Sequence, residues 1–125
     1  MADERWARMS WERLRAAKAL LDLGLYRDSI SRSYYAAYCA ATSVVVGRGV
    51  TFAFGRQNPS HDQLPDLIGN AGQLAVPVRR KIRTRLYFLR YARESADYRP
   101  RAPLDRALAL ECLLNAAAVI KLVEE

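Results

Sequence analysis

A chain of 125 residues, 51% hydrophobic and 26% charged, has the length of a single domain and enough apolar material for a core. It shows no charged start followed by an apolar segment, and its longest nearly apolar stretch, ALALECLLNAAAVI, carries Glu111 and Asn115 and is too short and too polar to span a bilayer; a cytoplasmic protein with no membrane contact is expected. The net charge of +7 is local: Pro77–Arg101 holds nine basic residues against Glu94 and Asp97, while the remaining eleven basic residues are balanced by eleven acidic ones, so one segment alone would attract phosphate or an acidic partner, or else forms a solvated arginine-rich face.

Ala7, Trp11, Leu14, Ala17 and Leu21 recur at steps of three and four, which predicts an amphipathic first helix with Gly24 as its C-terminal stop. A second helix is predicted from about Tyr26 to Val46. Ile30, Tyr34, Ala37, Ala41 and Val44 share one stripe, and the opposite side, with Tyr35, Tyr38, Thr42 and Val46, is hardly more polar, so both faces should be buried. Residues 47 to 60, rich in Gly, Asn and Pro, form the one long irregular connection. In SHDQ, Ser60 and Gln63 have capping-box spacing, yet Pro65 would then fall at the fifth helical position, so a short helix from Pro65 to about Leu74 is expected.

Pro77 opens a fourth helix whose inward stripe is Val78, Ile82, Leu86 and Leu89. The same steps lead next to Arg93, and then to Ala96 and Asp97, so a guanidinium occupies a position that the periodicity assigns to the core. The last helix, from Pro103 or Leu104 to about Val123, is apolar nearly all round; it is therefore central or covered by a second subunit. Cys39 and Cys112 lie in apolar runs without metal-ligand spacing and read as buried, reduced thiols. No strand pattern or repeat is present. The expected fold is all-α, an antiparallel up-and-down helical bundle of four long helices plus one short helix, forming one domain over residues 1–125.

Glycine-rich phosphate loops, paired carboxylates and His/Cys clusters are absent from the sequence, and a single histidine, His61, excludes a two-histidine metal site on one chain; no metal or cofactor is expected. The polar residues left over are Arg32, Tyr34, Tyr35, Tyr38, Arg56, His61, and Arg93, Asp97 and Tyr98 of RESADYRP. Arg93 and Asp97, four apart, share a helix face. They form either a structural bridge tied to the tyrosine hydroxyls, locking the bundle, or part of a site.

The combination of LLDLGLYRDSISRSYYAAYCAATSVV, a loop ending in SHDQL, and RESADYRP ahead of an apolar last helix resembles the HEPN domains, small prokaryotic helical modules, from about Trp11 to Ile120. The likeness is to free-standing members with a SRSYYAAYCAA-like second helix and an RxxADY element late in the fourth. It implies a dimerising bundle, often paired with a minimal nucleotidyltransferase as toxin and antitoxin, whose active members cleave RNA without metal through an Arg-x(4 to 6)-His motif shared at the subunit interface. Arg56 and His61 have that spacing in RQNPSH, but in a Gly/Pro/Asn loop rather than a helical segment, which leaves His61 a structural reading beside the catalytic one. Two classes follow. In one, a ribonuclease or nucleotide-binding toxin subunit uses Arg56, His61 and Arg93 for catalysis and Tyr34, Tyr35, Tyr38, Asp97 and Tyr98 to hold an RNA or nucleotide. In the other, a non-catalytic scaffold docks a partner protein through its bundle face.

Overall fold

The computed structural model describes residues 2–47, 52, 56 and 58–124, and these form five helices: α1 (Glu4–Asp22), α2 (Tyr26–Val46), α3 (Leu64–Gly69), α4 (Val76–Tyr98) and α5 (Arg106–Glu124). The helical bundle expected from periodicity is the fold, with no strand among the described residues. Each boundary has a local cause. Asp3 caps α1 by accepting from the backbone N–H groups of Arg5 and Trp6, satisfying donors that a helix start leaves unpaired. At the other end Gly24 adopts φ +77°. The N–H of Leu25 then bonds the Leu20 carbonyl and that of Gly24 the Leu21 carbonyl, the paired closure that a left-handed residue permits.

Two helices differ from expectation at their boundaries. The capping box at SHDQ does close, with the Gln63 N–H on Ser60 Oγ and Gln63 Oε1 accepting from the Ser60 N–H, but residues 61–63 form a turn and α3 begins at Leu64, ending already at Gly69. Pro65 is thus the second residue of α3, where its missing N–H is tolerated. The last helix starts at Arg106 rather than Leu104, because the Asp105 carboxylate accepts from the Leu108 N–H and makes Asp105 the cap.

The bundle is organised round α2, which touches each of the other four helices. All of residues 36–45 are buried, as the lack of a polar face predicts. Antiparallel packing on α1 is fixed at both ends, by Ser29 Oγ donating to the Ala17 carbonyl and by the Asp3 N–H donating to the Ser43 carbonyl. On α1 the inward stripe is Ser10, Ala17 and Leu21, with Trp6, Met9 and Leu14 partly covered. Trp11, expected to be inward, is exposed, and its indole N–H reaches Glu124 Oε1 at 2.7 Å; Ser10 is buried in its place, with its hydroxyl against the Ala7 carbonyl. Helix α5 packs against α1, α2 and α4, so its apolar circumference is largely internal, leaving Leu114 as its exposed large hydrophobic residue. Cys39 and Cys112 are free and buried, and burial pushes their thiols up to about 11 and about 12.

The end of α4 is held by a side chain of α2. The Arg27 guanidinium donates to the carbonyls of Ser95, Ala96, Arg99, Pro100 and Ala102, acceptors that a helix C-terminus and the following turn leave open. Because hydrogen bonds from a charged donor contribute about 1.5–3 kcal/mol each at most and share one side chain here, Arg27→Ala should lower stability by about 2–3 kcal/mol in urea titration. It should also loosen the C-terminal turn of α4, raising amide exchange at residues 99 to 102 more than in α1.

Candidate functional site

Tyr34 and Tyr35 stand on successive positions of α2 and Tyr38 one turn later, with Tyr34 and Tyr35 edge to face at 5.3 Å between ring centres. Opposite them, α4 brings in Arg93, only 6% exposed. Its guanidinium carbon lies 5.2 Å from the Tyr34 ring centre, 5.8 Å from Tyr35 and 5.7 Å from Tyr98, within the range in which a cation is attracted to aromatic faces. Among the described residues its carboxylate partner is Asp97, at 3.6 Å, a loose contact. The Nε of Arg93 is buried with no hydrogen-bond partner among the described residues.

The position that periodicity gave Arg93 is therefore correct, and that of Ala96 as well. Asp97, expected inward with them, is at the exposed edge of α4, its side chain 30% accessible; it also accepts from Ser31 Oγ. A further difference concerns the tyrosines. The rings of Tyr34 and Tyr35, not their hydroxyls, face the arginine. The Tyr38 hydroxyl donates to the Pro59 carbonyl and accepts from Asn58 Nδ2, and the Tyr34 hydroxyl is 2.5 Å from His61 Nδ1. The hydroxyls thus tie the segment ahead of α3 to α2.

His61 is enclosed by the rings of Tyr34, Tyr35 and Tyr38, at 5.4, 5.9 and 5.1 Å. Its backbone carbonyl is the acceptor that a residue at position 65 would normally bond in the helical pattern, and Pro65 has no N–H to give. Arg90 Nη1 approaches that carbonyl at 3.4 Å, while the same guanidinium pairs with Asp62 at 2.8 Å and Glu94 at 3.3 Å. Burial, followed by the charges of Arg93 and Arg90, lowers the His61 pKa from its ordinary value, against the smaller opposing pull of Asp62 and Glu94. Burial likewise raises the Tyr34 phenol. The pair is therefore a neutral imidazole on a neutral phenol, and the hydroxyl can either donate to Nδ1 or accept from it.

These residues open on a cleft of about 400 Å³ lined by Tyr35, His61, Arg93, Glu94, Tyr98 and Arg99. A somewhat larger groove of about 450 Å³ lies elsewhere, between α4 and α5 around Arg85 and Asn115, and contains no histidine or buried arginine. The residues singled out from sequence thus divide. Tyr34, Tyr35, Tyr38, His61, Arg93 and Tyr98 gather within one neighbourhood, with Asp97 on its rim. Arg56 is an exposed residue, and no described contact joins it to His61. Periodicity gave no hint of Arg90, Arg99 and Asn58, although the steps of three and four from Arg90 to Arg93 and Glu94 place them on adjoining positions of α4. Among the described residues no His, Cys, Asp and Glu cluster could hold a metal ion, and none of the helices is long and apolar enough to cross a membrane.

A family model for the HEPN domain matches residues 4–125, and the chain belongs to that family. No curated protein matches it.

The lowered pKa of His61 makes stability depend on pH in a defined direction. The unfolded chain binds the histidine proton from about pH 6.5 downward, whereas the folded chain resists it until a lower pH, so the unfolded state holds more protons between the two values and stability falls as pH drops through that window. Urea midpoints measured across it should fall more for the wild type than for His61→Gln, which has no proton to take up. Equal slopes would mean that His61 titrates normally in the fold.

Proposed function

We propose that this HEPN protein is a toxin-type subunit that cleaves RNA without metal at the His61 and Arg93 cleft, acting in the cytoplasm as a homodimer beside a minimal nucleotidyltransferase partner. The observation that carries the reading is the placement of His61, with Nδ1 against the Tyr34 hydroxyl and the buried Arg93 guanidinium beside it, whose Nε has no partner among the described residues. A buried arginine with so loose a carboxylate contact keeps donors for an anion, and a phosphodiester is the anion whose chemistry uses a neutral imidazole beside it.

In this reading His61 Nε2, with Nδ1–H donating to the Tyr34 hydroxyl, takes the proton of a ribose 2′-hydroxyl. The 2′ oxygen attacks phosphorus, the bond from phosphorus to the 5′ oxygen breaks, and the product is a 2′,3′-cyclic phosphate with a free 5′-hydroxyl. Arg93 stabilises the charge that builds on the non-bridging oxygens. The leaving oxygen needs a proton, and with one histidine per chain a second copy is the source of that acid. Arg56, exposed on the loop, could then serve only where a partner subunit reaches it.

The competing scaffold reading finds its own support in the aromatic cage round Arg93, which would lock the bundle without any substrate. Stability and activity separate the two. Since Asp97 is partly open to water, Arg93→Ala should cost well below the about 3–5 kcal/mol of breaking a fully buried pair, and should abolish cleavage of a labelled RNA in the presence of EDTA. His61→Ala should reduce the same cleavage rate by about 10²- to 10⁴-fold with the melting temperature nearly kept. An Arg93→Ala protein that unfolds, together with a His61→Ala protein that cleaves like the wild type, would favour the scaffold.

A further inference from the structure

Three large aromatic residues of α4 are left open to solvent: Tyr87 at 52%, Tyr91 at 64% and Tyr98 at 72% exposure. At 100° per residue they fall within about 40° of one another round the helix, and along its axis they are separated by about 6 Å and then about 10 Å. They form one stripe. Basic residues flank it: Arg80 and Arg83 precede it, Arg90 lies beside it, and Arg99 stacks its guanidinium on the Tyr91 ring at 5.3 Å. Glu94, the acid on the same face, is already paired with Arg90, and Asp66 lies 3.8 Å from Arg83.

Two of the three border the histidine, and Tyr91 borders the groove toward α5. Tyr87 lines a small cavity shared with Tyr34, His61, Pro65 and Arg90, and Tyr98 lines the main cleft on the other side of His61, next to Arg93. We propose that Tyr87, Tyr91 and Tyr98 form a base-stacking track for single-stranded RNA, which lays the strand along α4 and sets the phosphate between stacked bases at Arg93 and His61. The inference rests on the reading of the cleft as an RNA site and adds to it the form of the substrate and the residues that align it.

Exposed aromatic rings interleaved with guanidinium groups suit unpaired bases, because every base offers a flat face whatever its sequence and the cations follow the backbone. Paired RNA hides those faces in its stack. Self-association through the same stripe is disfavoured by charge. A two-fold contact would set Arg80, Arg83, Arg90 and Arg99 of one copy against the same residues of the next, with Glu94 already paired to Arg90.

The test uses a fluorescein-labelled 2′-O-methyl oligoadenylate, which lacks the attacking hydroxyl, and reads its anisotropy with the full chain. Tyr91→Ala and Tyr87→Ala should each weaken binding roughly 5- to 100-fold while leaving the slope of affinity against salt unchanged, since no phosphate contact is lost. Tyr91→Phe and Tyr87→Phe, which keep the ring, should bind as the wild type does, and the duplex form of the probe should bind more weakly than the single strand. Alanine variants that bind like the wild type, or a wild type that takes duplex equally well, overturn the track while the cleft remains an RNA site. If the alanine variants turn a dimer into a monomer in sedimentation and lose affinity only in that proportion, the stripe is a subunit interface and the track is wrong. A wild type with no affinity for either probe removes the track and the RNA reading together.

Discussion

A guanidinium that is 6% exposed is the constraint round which this end of the bundle is arranged. Withdrawing such a charge from water costs several kcal/mol unless its surroundings replace the lost solvation. A single carboxylate 3.6 Å away replaces little of it. The rest comes from three aromatic faces, those of Tyr34, Tyr35 and Tyr98, whose quadrupoles attract a cation while their rings exclude water. That explains why two adjacent positions of α2 are both tyrosine. One ring could cover one side of Arg93; closing the region between α2 and the end of α4 takes two rings from α2 and one from α4 itself.

The same helix meets an opposite demand elsewhere. With neighbours on every side, α2 can approach them closely only where its side chains are small, and Ser33, Ala36, Ala37, Ala40, Ala41 and Ser43 are all buried. Small residues leave gaps wherever the neighbours diverge, and the tyrosines fill the gap toward α4 and the segment before α3. Trp6 of α1 joins them edge-on to Tyr38 at 6.3 Å. A phenylalanine would fill the same volume, but it would leave the Pro59 carbonyl and His61 Nδ1 without their partners. The hydroxyls of Tyr34 and Tyr38 therefore fix the approach of residues 58–61, and the rings of Tyr34 and Tyr35 serve the arginine. Tyr34 meets both requirements with two different parts of its side chain, while Tyr35 serves the arginine with its ring and Tyr38 the segment with its hydroxyl.

Much of this was legible in the sequence, and the limits were physical. The two-sided burial of α2, the stop at Gly24, the proline start of α4 and the inward place of Arg93 all follow from periodicity and terminus chemistry, which are local. Trp11 escaped because hydrophobicity alone cannot tell a ring that fills the core from one that lies over a surface carboxylate. Asp97 was misplaced inward because a stripe on an ideal helix is about 100° wide, and a residue at its margin is inside or outside according to what neighbours it, here Ser31. The direction of the tyrosine hydroxyls and the part played by Arg90 depend on where the segment before α3 returns to the bundle. That return is a tertiary fact with no period to announce it, although the capping box and Pro65 mark its end.

The ion pairs of the site are asymmetric, and the asymmetry adds to the burial that lowers the His61 pKa. Arg93 is 8% exposed in its side chain against 30% for Asp97, and Arg90 28% against 83% for Asp62 and 39% for Glu94. Cations lie inward and anions outward, where water and salt screen them more strongly. The interior therefore feels more of the positive charge than a count of formal charges would give, and this reinforces the effect of burial on His61. An anion entering the cleft would act in reverse, offsetting Arg93 and Arg90 at close range and making His61 a better proton acceptor as it binds. In the proposed RNA reading that coupling would raise the proton affinity of His61 as a phosphate binds, and the geometry it needs is the burial of Arg93 among the tyrosine rings.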